Sequence, residues 1–114
     1  MKLHKIITAY SEMEKLAGNT NLSDQSQWEL FKLRKLMRQH VEFHTEREEA
    51  IKEKYIKFAD DKGNIYGDKL NGYINETTEL NNMDVEFDFV KPVVPHAGIN
   101  FLTMEKLEDF IDFT

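Results

Sequence analysis

Between Asp24 and Lys62 the chain has neither glycine nor proline, and apolar residues recur through this run at helical spacing. It reads as one long helix, from about Asp24 to Ala59. Leu30, Leu33, Met37, His40, His44, Ile51 and Phe58 follow three- and four-residue steps, interrupted around Arg47 and Glu48. Leu36, Val41 and Tyr55 widen the stripe into a coiled-coil-like seam with a polar middle. Glu48–Lys52 and Glu53–Lys57 add well-oriented i,i+4 pairs worth about 0.2–0.5 kcal/mol each. Ser23, Asp24 and Ser26 offer the N-cap; Ser26 with Glu29 has capping-box spacing, and Asp24 with Gln27 competes. A helix this long must bury its stripe against another, and leaves little of a 114-residue chain for a pocket.

The obvious neighbour precedes it. From Lys2 to Ala17, Leu3, Ile6, Ile7, Tyr10, Met13 and Ala17 are periodic, with Lys5, Glu12, Glu14 and Lys15 assigned to the opposite side. Gly18-Asn19 supplies a left-handed stop. A short polar linker then returns the chain, so an uneven antiparallel hairpin is expected. Leu3, Ile6, Ile7, Tyr10 and Met13 should meet Leu30, Leu33, Leu36, Met37 and Val41. The longer helix overhangs. Its end, with Ile51, Tyr55 and Phe58, needs cover from the C-terminal segment or a second copy, which makes these residues protein-binding candidates and a homodimer an expectation.

Asp60-Asp61-Lys62-Gly63-Asn64 is a turn with Gly63 at positive φ. Asp68 to Glu79, broken by Asn71-Gly72, reads as helix or loop. Val85, Phe87 and Phe89 alternate with Glu86, Asp88 and Val90, the clearest strand signal, with Ile65-Tyr66 or Val93-Val94 as pairing partners. Pro92 and Pro95 confine the next stretch of chain to an edge or connector. Thr103 caps a terminal helix, Met104 to Phe113, with Leu107, Phe110 and Ile111 inward, expected to seal the overhang. The fold class is mainly α (α+β): one domain over 1–114, with a helical hairpin in 1–59 and a turn, a small β element and a short helix in 60–114.

The absence of cysteine removes disulfides and thiolate chemistry. Met1 to Ile7 lacks the apolar run of a signal peptide and no segment is long and apolar enough to span a bilayer, so a cytoplasmic setting without a membrane partner is expected. A net charge of −6 argues against general nucleic-acid binding and suits either solubility or a basic protein partner.

Candidate chemistry is sparse. His40, His44 and Glu48 share one helix face at metal-capable spacing, but the glutamate that a zinc-protease helix needs after its first histidine is replaced by Val41. Two histidines in a polar seam are the plainer reading. Lys32, Arg34, Lys35 and Arg38 form a basic band with no obvious aromatic platform beside it, which reads as a solvated face. Asp60, Asp61 and Asn64 miss the EF-hand template. The acidic C-terminal third, with Glu86 and Asp88 turned away from Val85, Phe87 and Phe89, could mimic a phosphate backbone against a basic groove. Neither catalytic residues nor a cofactor are expected, and the chain is read as a non-enzyme.

The order of parts resembles a family of small uncharacterised proteins of bacteriophages and prophages. The features are Ala9-Tyr10 within a first helix, Lys32-Leu33-Arg34-Lys35-Leu36 on a long one, and the run from Glu46 to Tyr55. Gly63-Asn64, the Val85-Glu86-Phe87-Asp88-Phe89 segment and a final acidic-apolar helix complete the likeness; the connector Val93 to Gly98 departs from it. The resemblance implies a phage-type accessory protein acting by protein–protein binding, with a host protein or itself as partner. It assigns no active-site residues. An anti-defence inhibitor that turns its acidic surface on a nucleic-acid-binding host protein is the alternative.

Overall fold

A computed structural model describes the whole chain, Met1–Thr114. The fold is mainly helical: α1 (Leu3–Met13), α2 (Asp24–Ile56), α3 (Gly67–Asn81), β1 (Val93–Val94), α4 (Phe101–Leu107) and β2 (Asp112–Phe113). The spine is α2. Its 33 residues correspond to about 50 Å at 1.5 Å each, close to the 51 Å long axis of the molecule.

At its start Ser23 is the cap that closes: its side chain accepts the Ser26 backbone N–H at 3.1 Å, while Ser26 itself is buried in the first turn. The Ser26–Glu29 and Asp24–Gln27 alternatives are not used. Asp24 places a carboxylate at the positive end of the helix dipole.

α1 runs antiparallel to α2 and buries Leu3, Ile6, Ala9 and Met13. It tightens into a 3-10 turn, Glu14–Leu16, instead of ending on a left-handed glycine. Positive φ occurs only at Gly63, Gly67 and Gly98, so the stop expected at Gly18-Asn19 is made with right-handed backbone. Gln27 helps by donating to the carbonyls of Leu16 and Asn19 at 3.2 and 3.3 Å. The expected seam forms through Leu30, Leu33 and Met37, but Leu36 stays 52% exposed.

The overhang is closed by α3, not by the C-terminal helix. The loop before α3 folds on Asp60, whose carboxylate accepts the Lys62 and Asn64 backbone N–H groups at 2.9 Å each and the Tyr66 hydroxyl at 3.0 Å. Those bonds, the Asn64 amide foremost, hold the Asp60 carboxyl below its ordinary pKa, and Gly63 takes the positive φ of the turn. α3 then returns along α2, which is therefore shared by two antiparallel hairpins. Leu80 of α3, Leu3 of α1 and Ile51 and Tyr55 of α2 make a second, smaller core. Asn71-Gly72 is helical instead of a break. A Cβ at Gly72 would stand 2.6 Å from the Tyr55 hydroxyl oxygen, so the missing side chain lets the Tyr55 ring lie against α3.

The main core joins α1 and the first half of α2 to Val94, Leu107, Phe110 and Ile111. α4 starts and ends earlier than expected. Asn100 caps it by accepting from the Leu102 N–H at 2.8 Å, and Thr103 is buried within it. After α4 the chain forms β2, parallel to β1 with Val93 opposite Asp112. The strand expected at Val85–Phe89 is absent. The main chain of that segment is hydrogen-bonded only at its start, by an isolated antiparallel bridge between Lys2 and Asp84 and a Val85 N–H bond to the Met1 carbonyl at 2.9 Å. Its expected partners are engaged elsewhere: Tyr66 stands at the start of α3 with its hydroxyl on Asp60, and Val93-Val94 pairs with Asp112-Phe113.

Candidate functional site

The three residues at metal-capable spacing do not form a ligand set. His44 Nε2 lies 2.9 Å from Asn81 Oδ1 at the end of α3 and 3.9 Å from Glu48. His40 stands edge-on to Phe87 with ring centroids 5.5 Å apart. Glu48 also pairs with Lys52 at 3.4 Å. The polar middle of the seam thus serves as a junction between α2, α3 and the segment after α3. No group of three potential metal-ligating side chains gathers in the structure.

Of the apolar candidates, Ile51 and Tyr55 are buried within the chain, so they offer no surface to a partner. Phe58 remains half exposed under the ammonium groups of Lys69 and Lys57, at 4.2 and 5.3 Å from its ring centroid. Beside it, between the end of α2 and the start of α3, lies a groove of about 600 Å³ floored by Ile56, Ile65, Leu70 and Tyr73. Lys54 closes the outer side of this hairpin by donating to Glu76 at 2.8 Å. The pair lowers the Glu76 pKa and raises that of Lys54, and the same carboxylate raises that of the Tyr55 hydroxyl.

The basic band differs from expectation in one respect. Trp28 and Phe31, 54% and 49% exposed, stack 5.5 Å apart immediately before it, so an aromatic pair does stand there. Two of the four cations are engaged in the chain: Lys32 pairs with Glu29 at 2.9 Å, and Arg34 lies 4.2 Å over the Tyr10 ring and 3.3 Å from Glu14. Lys35 and Arg38 take part in no ion pair, too few to give a strong polyelectrolyte footprint.

One polar cluster went unread in the sequence. Glu12, assigned to the solvent side of α1, is buried; its carboxylate accepts from Lys15 at 2.9 Å and from the Thr103 hydroxyl at 3.1 Å, with Lys106 at 3.9 Å. The Lys15 bond holds its pKa below the ordinary value against the opposing effect of burial, helped by Thr103 and Lys106. The signal was present, because Glu12 falls three residues after Ala9 and four before Leu16, both on the buried face. An open hollow of about 340 Å³ adjoins this cluster between α1 and α4. The cluster locks α4 onto α1.

Glu86 and Asp88 lie where alternation predicts. Both are exposed, while Val85, Phe87 and Phe89 between them pack against the main core. Glu86, Asp88, Glu105, Glu108 and Asp109 are exposed and take part in none of the ion pairs of the molecule. Two of them, Glu105 and Glu108, meet exposed apolar surface: Phe101, at 72%, borders a hollow of about 440 Å³ floored by Met104, Ile111 and Phe113 and rimmed by Glu105, Glu108 and Asp112. Searches with protein-family models, curated proteins and solved structures found no match to this chain.

Proposed function

We propose that the chain is a non-enzymatic, phage-type accessory protein that binds another protein through the acidic surface of its C-terminal third, with a basic, nucleic-acid-binding host protein as the partner class. The observation that carries this reading is the set of unpaired carboxylates, Glu86, Asp88, Glu105, Glu108 and Asp109, two of which, Glu105 and Glu108, rim a hollow bordered by the exposed Phe101. An apolar centre with a charged rim is the composition of a binding surface, and unpaired surface charge of one sign steers association with the opposite sign. The phage setting comes from the resemblance of the sequence alone. Elsewhere on the surface some charges are matched locally, as in Lys32–Glu29, Lys52–Glu48 and Lys54–Glu76, and others, Lys35 and Arg38 among them, are not.

The test is a series of association rates with increasing salt, against a basic partner recovered with this protein as bait, for the parent and for Glu86→Lys with Asp88→Lys. Both side chains point away from the core, so the double reversal keeps the fold, which circular dichroism checks. The on-rate should fall steeply with salt and again with the reversal, while the off-rate changes little. Association indifferent to both would exclude an acidic binding surface.

A further inference from the structure

Val85 to Val90 has the alternating sequence of a strand, alternating exposure to match it and no strand beside it. Its inner face is anchored: Phe87 and Phe89 lie 4.9 Å apart, Phe89 stacks on Phe110 at 5.5 Å with Phe87 tilted against it at 6.3 Å, and His40 closes on Phe87 from α2. Packing therefore sets which side chains face in, and a one-residue slip would turn both aromatics into water. Main-chain pairing nevertheless stops at Val85, which bonds to Met1, and resumes only at the Pro92 carbonyl, which accepts from Asp112 at 2.9 Å. From Glu86 to Val90 no backbone N–H or C=O makes a hydrogen bond within the protein. Such a run keeps its main-chain donors and acceptors free, as an edge strand does, and through such groups an incoming chain can pair with it.

We propose that Glu86–Val90 is a docking strand that takes an extended segment of a partner protein by main-chain pairing, and that this segment carries Lys or Arg at alternate positions. The flank of the segment fits this use. A hollow of about 190 Å³ separates it from α2, lined by Lys32, Leu33 and Leu36 on one side and by Phe89, Val90 and Pro92 on the other. Val90 is 91% exposed, and with the half-exposed Leu36 it forms apolar surface that an added strand would cover. Pro92, with no N–H to give, ends the ladder.

Charge selects the occupant. Glu86 and Asp88 share the outer face and have no cation of their own. A second copy paired along the same segment would set carboxylate against carboxylate on that face, which destabilises a strand pair, whereas alternating basic residues set opposite charges across it. The occupant is therefore a basic extended segment of another protein. This inference rests on the acidic-surface reading and adds the geometry of binding.

The two readings separate in one experiment. The full-length protein is titrated with a short peptide of alternating lysine and valine, with its twin N-methylated at alternate backbone nitrogens, and again as the Glu86→Lys, Asp88→Lys variant. Amide exchange is followed at Glu86–Val90. Strand addition requires that the plain peptide bind and slow exchange at alternate amides of this segment, and that the methylated twin bind at least about tenfold more weakly, since several main-chain bonds are lost while charge is kept. Equal binding of the two peptides with unchanged exchange overturns strand addition; if the double reversal weakens both equally, the acidic surface stands without it. Failure of the plain peptide to bind at all also overturns the docking strand, and leaves the acidic surface to its own salt series.

Discussion

Glu12 and Gly72 are the two single residues whose roles depend most on what another element brings to them. Glu12 is a carboxylate taken out of water, made tolerable by Lys15, Thr103 and Lys106. A carboxyl whose folded pKa is lowered contributes stability that is complete above its unfolded value, about 4.5, and is lost as pH falls through the lowered value. Glu12→Gln should cost about 1–3 kcal/mol near neutrality, and the gap from the parent should narrow in acid. Urea midpoints across pH would check this; a gap constant down to strong acid would mean that the charge contributes nothing. Gly72→Ala would normally gain about 1 kcal/mol in a helix interior. Here the new methyl meets the Tyr55 hydroxyl at 2.6 Å and ring carbons at 3.2 Å, and that ring is fixed edge-on against Tyr73 at 5.7 Å. Overpacking of about 1–3 kcal/mol should outweigh the gain. Thermal melts should therefore show Gly72→Ala below the parent, with the loss reduced when Tyr55→Phe removes the hydroxyl.

At the scale of elements, α2 behaves as its periodicity predicts over its first half, and Leu33 and Leu36 make the sharpest contrast. Both belong to the apolar stripe, but Leu33 is buried and Leu36 is half exposed. Leu33→Ala should cost about 2–5 kcal/mol and Leu36→Ala about 0.5 kcal/mol or less, read from denaturant midpoints; similar losses would place Leu36 in the core. The start of α2 was legible to within two residues because Ser23, Asp24 and Ser26 can all cap, and only the loop geometry chooses Ser23. Val85–Phe89 shows the limit of a local pattern. Alternation correctly placed Phe87 and Phe89 inward and Glu86 and Asp88 outward. A strand also needs a neighbour, which no local pattern supplies, and the chain leaves this segment without one. Helix α3 is the converse: Asn71-Gly72 looked like a break, and packing against Tyr55 made it helix.

For the whole molecule, one spine flanked on its two halves by different helices gives an elongated body of 51 × 29 × 19 Å with a radius of gyration of 17.6 Å, against about 13 Å for a compact domain of this length. The two halves depend on each other. The main core takes Val94, Leu107, Phe110 and Ile111 from the C-terminal part, and the smaller one takes Leu80. A fragment of residues 1–59 should therefore fail to hold native packing, although the hairpin sequence lies entirely within it. Its amide NMR spectrum should be poorly dispersed with helical circular dichroism largely retained; a well-dispersed spectrum would make the hairpin an independent unit. α3 covers Ile51 and Tyr55 within the chain, while Phe58, the third residue of the overhang, stays half exposed.

The sequence by itself determined the helical class, the long α2, the antiparallel α1 beside it, the Asp60–Asn64 turn, the inward Leu107, Phe110 and Ile111, and the outward Glu86 and Asp88. Each follows from periodicity or turn chemistry within a few residues, where the backbone period alone decides which side chains share a face. Tertiary structure decided the rest: α3 as the cover for the overhang, β1 pairing with β2, the burial of Glu12 by a threonine 91 residues away, and the unpaired main chain at Glu86–Val90. These depend on which distant element arrives at a surface. That choice is made by the burial of whole faces and the satisfaction of main-chain groups across the molecule, and a local pattern carries neither.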